Sequence, residues 1–315
     1  SSDVCSSDLP IPVGRVKKDI TEKALKDAVK LIDKAKKPVI FVGGGAVLID
    51  ILQKYDVEEA YAFDINKDLI NCYNVIKQDV ESLIKKLNEK EKEFLNIELE
   101  SRQEYFYKIR SEYNSYKIED KLDVKRASEF IFLNRTCFNG LYRVNKNGEF
   151  NVPCGKYKNP TICDAKNLRN LSKLLQNIVF EYGDYRKCIK YIDTNTFVYF
   201  DPPYRPLSIT SGFTSYTKED FNDENQKELA DFYKELDLKN AKLMLSNSNP
   251  KNTNKEDNFF EDIYKGFNIN EVSAKRMINS KAQGRGEISE LLITNYKENN
   301  ECIQENSILK MVVSN

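Results

Sequence analysis

The chain has no histidine and no tryptophan among its 315 residues. Without an imidazole, zinc centres of the usual kind, His-based general acid–base chemistry and Ser-His or Cys-His nucleophile pairs drop out of the expectation, and no metal is expected. Seven cysteines, at 5, 72, 137, 154, 163, 188 and 302, are scattered with no Cys-x-x-Cys pair. An odd, dispersed set reads as reduced thiols of a cytoplasmic protein rather than a disulfide framework. No apolar run reaches the roughly 20 residues that cross a bilayer, and the N-terminus does not read as a signal peptide, so no membrane partner is expected. Lys+Arg and Asp+Glu both number 49, which removes global charge as an argument for a polyanionic partner. The charge is unevenly placed, however. Between residues 135 and 175, Arg135, Arg143, Lys146, Lys156, Lys158, Lys166, Arg169 and Lys173 face only Glu149 and Asp164. That excess suits a phosphate backbone, and it equally suits a solvated face.

What is present starts with Asp201-Pro202-Pro203-Tyr204, which closes the apolar run at 197–200. A strand ending in an acid, two prolines and an aromatic ring can hold a planar amino-bearing group, such as an adenine drawn out of DNA, against a methyl donor. The Asp201 carboxylate can accept a hydrogen bond from the exocyclic amine. Proline has no N–H, so a carbonyl of the turn can be left to accept the second amine hydrogen. The Tyr204 ring can stack on the base. Together these groups would turn the nitrogen lone pair toward the methyl group, which is catalysis by positioning and electrostatics. The four residues alone also fit an ordinary strand running into a turn.

Along the chain, residues 1–9 read as a translated sequencing adapter and stay outside the fold. Residues 10–42 form a helix-strand segment, with Ala24, Leu25, Ala28, Val29, Leu31, Ile32 and Ala35 on one stripe of a helix over 21–36. A strand at 39–42 then meets Gly43-Gly44-Gly45, and 46–49 opens a helix, an arrangement that lets backbone approach a ligand at the carboxyl edge of a sheet. A second strand at 60–63 ends in Asp64, about twenty residues after the glycines, where such folds hold ribose hydroxyls. Asp64 could also cap the next helix, a role compatible with ribose binding. Residues 85–135 are helical by pattern, and their charged runs at 89–93 and 120–126 read as a solvated insertion. Further strands are expected at 180–184, 197–200 and 242–245, with 267–272 and 288–296 as a closing pair. The fold class is α/β, a Rossmann-like sheet interrupted by a mainly helical insertion. The tail from 297 to 315 carries no assignment.

The segment Asn134-Arg135-Thr136-Cys137-Phe138-Asn139-Gly140-Leu141-Tyr142-Arg143, continued by residues 148–157, resembles the target-recognition region of Dam-type DNA adenine-N6 methyltransferases of the D12 class. Asp201-Pro202-Pro203-Tyr204, Pro206-Leu207-Ser208, Phe213-Thr214-Ser215-Tyr216, Leu245-Ser246-Asn247 and Glu290-Leu291-Leu292 fit the same family, in its alpha order, over 43–296. The resemblance implies a class I methyltransferase fold, with a catalytic domain at 43–88 and 176–296 and a target-recognition domain at 89–175. It implies a cytoplasmic monomer that takes S-adenosyl-L-methionine as co-substrate and double-stranded DNA as partner, and that methylates a flipped adenine in GATC. Asp201, Pro202, Pro203 and Tyr204 would hold the adenine. Phe41, Gly43, Gly45, Asp64, Asp184 and Asp201 would line the donor site, Asp64 on the ribose and Asp184 near the donor's adenine. Phe138, Asn139, Leu141, Arg143, Pro153 and Tyr157 would read DNA, with Arg276 and Arg285 on phosphates. Phe138 or Tyr142 could fill the gap left by a flipped base, and both rings also fit simple core packing.

The front of the chain departs from that pattern. The family opens with a Lys-Trp-x-Gly-Gly-Lys-like motif, where this chain has Lys37-Pro38-Val39-Ile40-Phe41. Residues 10–42 instead resemble the start of the middle domain of thiamine diphosphate enzymes such as acetolactate synthase. The alternative expectation is therefore a chimeric fragment, joined within 42–47, that binds DNA without turnover.

Overall fold

Strands covered on both faces read as continuous apolar runs, and such runs organise the sheet here. β1 (Val39–Phe41), α1 (Ala46–Lys54) and β2 (Ala60–Asp64) follow one another, with Leu48, Ile49 and Ile51 of α1 and Ala60, Ala62 and Phe63 of β2 buried. The computed structural model describes residues 39–41, 46–54, 57–119, 122–207, 221–275, 287–296 and 312–314. Contacts divide these into two units, one being Asn66–Gln176 and the other holding the sheet.

The first unit contains α2 (Lys67–Gln78), α3 (Val80–Asn96), α4 (Arg102–Ser115), α5 (Val124–Thr136) and α6 (Ala165–Leu174). Four of the five starts are set by a short polar side chain that satisfies an orphan backbone N–H; α4, after Ser101, has no such side-chain bond. Asn66 accepts from Asp68 and Leu69, Asp79 from Ser82, Asp123 from Arg126 and Asp164 from Asn167. α5 is the centre, contacted by α2, α3 and α4. It is buried on every side, from Arg126 through Asn134, so it lacks the one-sided apolar stripe of a surface helix.

Two expectations change here. The charged run at 120–126 is not simply solvated, because Arg126 is only 2 % exposed. Its guanidinium forks onto Asp68 (2.7 and 3.0 Å), donates to the Tyr113 and Tyr116 carbonyls, and lies 3.6 Å from the Tyr113 ring centroid. Tyr113 Oη in turn donates to Asp68 (2.6 Å). Local pattern reads Arg126 as a surface charge because the carboxylate that compensates it lies far off in sequence. Second, residues 67–88, expected with the sheet, belong to the helical unit, since α2 packs on α5 and α6. Beyond α5 the helical character ends. Residues 137–164 hold a single 3-10 turn, Phe138–Gly140, and two isolated bridges, Cys137↔Cys154 and Val144↔Phe150.

The second unit resumes with β3 (Ile178–Tyr182), β4 (Phe197–Phe200), α7 (Asp223–Leu238), β5 (Lys242–Ser248), α8 (Phe259–Ile263), β6 (Asn268–Lys275), β7 (Glu287–Thr294) and β8 (Val312–Ser314). The sheet order is β3-β2-β8-β1-β4-β5-β7-β6, with β8 also paired to β4. β2–β3, β1–β4 and β4–β5 are parallel, while β7 runs antiparallel to β5 and β6. This is the α/β, Rossmann-like sheet expected from sequence, with the expected closing pair and one strand more. β8 was not foreseen, because three residues are too few for any periodicity. α7 covers its stretch of core through Leu229, Tyr233 and Leu236. The Tyr233 hydroxyl donates to the Leu243 carbonyl (3.0 Å), and its ring meets Tyr264 and Phe267 edge-on.

Candidate active site

The four buried residues of β4 deliver Asp201 to the carboxyl edge of the sheet, the edge at which open α/β sheets bind ligands. Asp201 is half-buried. Its Oδ1 accepts from Ser246 Oγ on β5 (3.0 Å), and that hydroxyl lies 2.8 Å from Tyr199 Oη. Pro202 is buried, Pro203 exposed and Tyr204 half-buried. Tyr204 Oη donates to Glu290 Oε2 on β7 (3.2 Å). Burial, reinforced by the negative charge of Asp201, raises the Tyr199 and Tyr204 phenols well above their ordinary value, so both rings stay neutral.

A polar lattice fixes the turn after the acid. Gln226, fully buried on α7, donates from Nε2 to the Pro203 carbonyl (3.0 Å) and accepts from Asn247 Nδ2 (3.2 Å). Asn247 Oδ1 accepts from the Arg205 and Ser248 N–H groups (3.0 and 2.9 Å), and Ser248 Oγ donates to the Arg205 carbonyl (2.6 Å). The Arg205 side chain forks onto Asp223 (2.7 and 3.0 Å), reaches Asp257 (2.8 Å) and lies 4.3 Å from the Phe259 ring centroid. Burial pushes the Asp257 carboxyl up, but the Arg205 pair outweighs it and holds the group below its ordinary value.

The Pro203 carbonyl already accepts one hydrogen bond, from Gln226. Sequence reasoning missed Arg205, Asp223, Gln226 and Asp257. Gln226 did carry a signal, since it falls on the same helical stripe as Leu229, Ala230 and Tyr233, where a polar residue needs an internal partner. Replacing Gln226 by leucine is expected to cost about 1–3 kcal/mol, because the Pro203 carbonyl and the Asn247 amide each lose a partner. Urea unfolding of the variant measures it, and a loss under about 0.5 kcal/mol would remove Gln226 from this role.

Of the candidate donor-site residues, Asp64 ends β2 and is 5 % exposed. Asn66, not Asp64, caps α2, which removes capping as the explanation for Asp64. The Asp64 carbonyl accepts from Gly183 N–H (3.0 Å), joining it to the end of β3. Asp184 follows there, half-buried, accepting from Arg186 N (2.8 Å) and pairing with the Arg186 guanidinium (3.4 Å). A buried carboxylate at this edge supplies the acceptors that a ribose diol requires, so Asp64 fits a nucleoside. Phe41 closes β1. Gly43 and Gly45 lie outside the described residues, as do 213–216, Arg276 and Arg285. β8 pairs with both β1 and β2 at these ends, through Phe41↔Val313 and Phe63↔Ser314.

The candidate DNA-reading residues lie in the helical unit. Phe138 (51 %) and Tyr157 (41 %) are large exposed rings, whereas Tyr142 packs between Phe130 and Phe150. Exposure therefore separates two rings that the sequence left equivalent. Asn139 adopts φ 55°, a left-handed conformation Asn tolerates. Leu141 is half-buried, and Arg143 is exposed, with Nε held by Asn151 Oδ1 (2.7 Å). Pro153 is exposed, and its carbonyl accepts from Phe138 N–H (2.9 Å). Gly155 is obligatory, because a Cβ there would sit 2.6 Å from the Tyr157 ring and 2.8 Å from the Cys137 carbonyl. The basic stretch is partly neutralised from within, with Arg169 forked onto Glu81 (2.7 and 2.8 Å).

The chain is similar to known proteins over most of its length. A family model described as D12 class N6 adenine-specific DNA methyltransferase matches residues 22–278. The chain is 55 % identical over 257 residues to the type II methyltransferase M.MjaIII of Methanocaldococcus jannaschii, covering 81 % of this chain and 86 % of the relative. It is 41 % identical over 258 residues to the type II methyltransferase M1.LlaDCHI of Lactococcus lactis subsp. cremoris, covering 81 % and 84 %. It is 33 % identical over 252 residues to the DNA adenine methylase of Escherichia coli K12, covering 80 % and 83 %.

Proposed function

Because this chain belongs to the D12 class of N6 adenine-specific DNA methyltransferases, we propose that it is a Dam-type enzyme that methylates N6 of an adenine flipped out of duplex DNA, with GATC as its target. Enzymes of this family use S-adenosylmethionine, which supplies an electrophilic methyl group. The observation that carries the reading is the braced acid at the sheet edge: Asp201 is oriented by Ser246, and the turn behind it is fixed by Gln226, Asn247 and Arg205.

Each of these groups has a task. Asp201 accepts one amine hydrogen and a carbonyl of the turn the other, which draws the lone pair of N6 out of the ring's conjugation. Tyr204, neutral and anchored to Glu290, offers its ring as a stacking face for a flipped base. A fixed carboxylate needs no reorganisation as positive charge grows on the nitrogen, and that preorganisation is the main source of rate. Asp64 would hold the ribose of the donor and Asp184 would lie near its adenine, with Phe41, Gly43 and Gly45 completing the pocket. In the helical unit, Arg143 can fork onto guanine O6 and N7 while Leu141 and Pro153 meet a thymine methyl. The exposed Phe138 ring suits the gap left by the departed base, and Asn139 and Tyr157 are further candidate DNA contacts.

The test is methyl transfer from labelled S-adenosylmethionine to a GATC duplex beside an otherwise identical duplex without GATC. Incorporation confined to the GATC duplex is expected, with binding that weakens steeply as salt rises. Equal incorporation into both retires GATC. No incorporation into either, from folded protein that still binds duplex, replaces this reading with DNA binding without turnover, as the altered front of the chain would produce.

A further inference from the structure

We propose that Cys137 and Cys154 form a reversible disulfide that closes residues 138–153 into a ring, with a low-molecular-weight disulfide such as glutathione disulfide as the oxidant. Strand register sets the two cysteines opposite each other. Phe138 N donates to the Pro153 carbonyl (2.9 Å) and Gly155 N to the Thr136 carbonyl (2.8 Å). These two bonds flank the antiparallel bridge Cys137↔Cys154, which makes the cysteines its non-hydrogen-bonded pair. Residues so placed have Cα atoms about 4.5 Å apart and side chains closer than in the alternate pairing. That spacing falls within the roughly 4.4–6.8 Å window a disulfide spans. Gly155 permits the close approach, its missing side chain leaving room for the Cys137 carbonyl. Both cysteines are free thiols here, Cys137 Sγ donating to the Leu141 carbonyl (3.2 Å) and Cys154 Sγ to the Gly155 carbonyl (3.3 Å).

The exchange balances in two displacements. The half-buried Cys154, once deprotonated, attacks one sulfur of the small disulfide and releases the first small thiol. The Cys137 sulfur, losing its proton, then attacks the Cys154 sulfur and releases the second. Two protein thiols are oxidised and one small disulfide is reduced to two thiols. Burial pushes the Cys137 thiol up to about 12, which suits a slow resolving partner and leaves the first attack to Cys154.

Five of the six candidate DNA-reading residues, Phe138, Asn139, Leu141, Arg143 and Pro153, lie on the ring, so oxidation would stiffen the segment that meets DNA. That consequence rests on the proposed function, whereas the thiol chemistry does not. The full chain is exposed to excess glutathione disulfide, quenched with acid, alkylated and digested, and peptide masses are read. A 137–154 crosslink, reversed by dithiothreitol and absent from Cys154→Ser, is expected. In Cys137→Ser the mixed glutathione disulfide should accumulate at Cys154. Full alkylation of both cysteines in folded protein after long exposure overturns the proposal, as does pairing of either with another cysteine. The crosslinked form should bind duplex several-fold more tightly, because its loop is ordered beforehand. Unchanged affinity with the crosslink in place removes the link to recognition and leaves the disulfide standing.

Discussion

Replacing Asp201 by alanine is expected to lower kcat for adenine methylation by about 10²–10³-fold, the usual cost of deleting one preorganised electrostatic partner of a transition state. Duplex binding should change little, since the candidate DNA-reading residues lie in the other unit. Asparagine at the same position is a graded control. It keeps an oxygen acceptor for the amine but loses the negative charge, so its loss should be smaller than that of alanine. Stability has to be followed in parallel, because Ser246 is only 4 % exposed and donates to Asp201. Ser246 can turn back to Tyr199, which already lies 2.8 Å away, so Asp201→Ala should fold. A kcat within tenfold of the parent, on the GATC duplex and at saturating donor, would show that the nitrogen is activated by other groups.

The second large effect belongs to the helical unit. Arg126→Met should destabilise the protein by about 3–5 kcal/mol, the range for breaking a buried ion pair from one side. Asp68 would lose its countercharge, and the Tyr113 and Tyr116 carbonyls would lose their donor. Removing both charges, with Arg126→Met and Asp68→Leu together, should recover part of the loss, because the cost lies mostly in the stranded carboxylate. Urea unfolding gives both values. A single-variant loss below about 1 kcal/mol would mean that water reaches Asp68 freely enough to screen it.

The features readable from sequence were those with a local cause. The run at 197–200 is apolar throughout because both faces of β4 are covered, and the acid that ends it lies, as expected, at the carboxyl edge of the sheet. The closing pair, β6 and β7, was legible too, although β6 is polar at alternate positions and only partly covered. What escaped depended on partners distant in the chain. Arg205 adjoins the motif, yet its carboxylates stand at 223 and 257. Ser246, Asn247 and Glu290 were legible as parts of a familiar pattern, but not as the braces of Asp201, the turn and Tyr204. For Asp64 the capping role went to a residue two positions on, Asn66, whose side chain takes the cap. Arg126 looked like a surface charge because periodicity weighs polarity and is blind to compensation.

The insertion of the helical unit between β2 and β3 also bears on how the chain folds. These strands are sheet neighbours in register from Ala60↔Ile178 to Asp64↔Tyr182, yet the whole of Asn66–Gln176 separates them. While that stretch is unstructured, bringing the strands together means closing a very long loop, with an entropy cost that grows as the logarithm of its length. Each helix forms from contacts close in sequence, which come early, but the packing of α2 on α5 and α6 joins residues far apart in the chain and is what gathers the ends. Once that packing is in place, the loop is replaced by a rigid body with fixed ends, and the strand pairing becomes a short search. The Arg126–Asp68 pair, remote from the reacting atoms, would then help set how quickly the sheet that carries Asp201 can assemble.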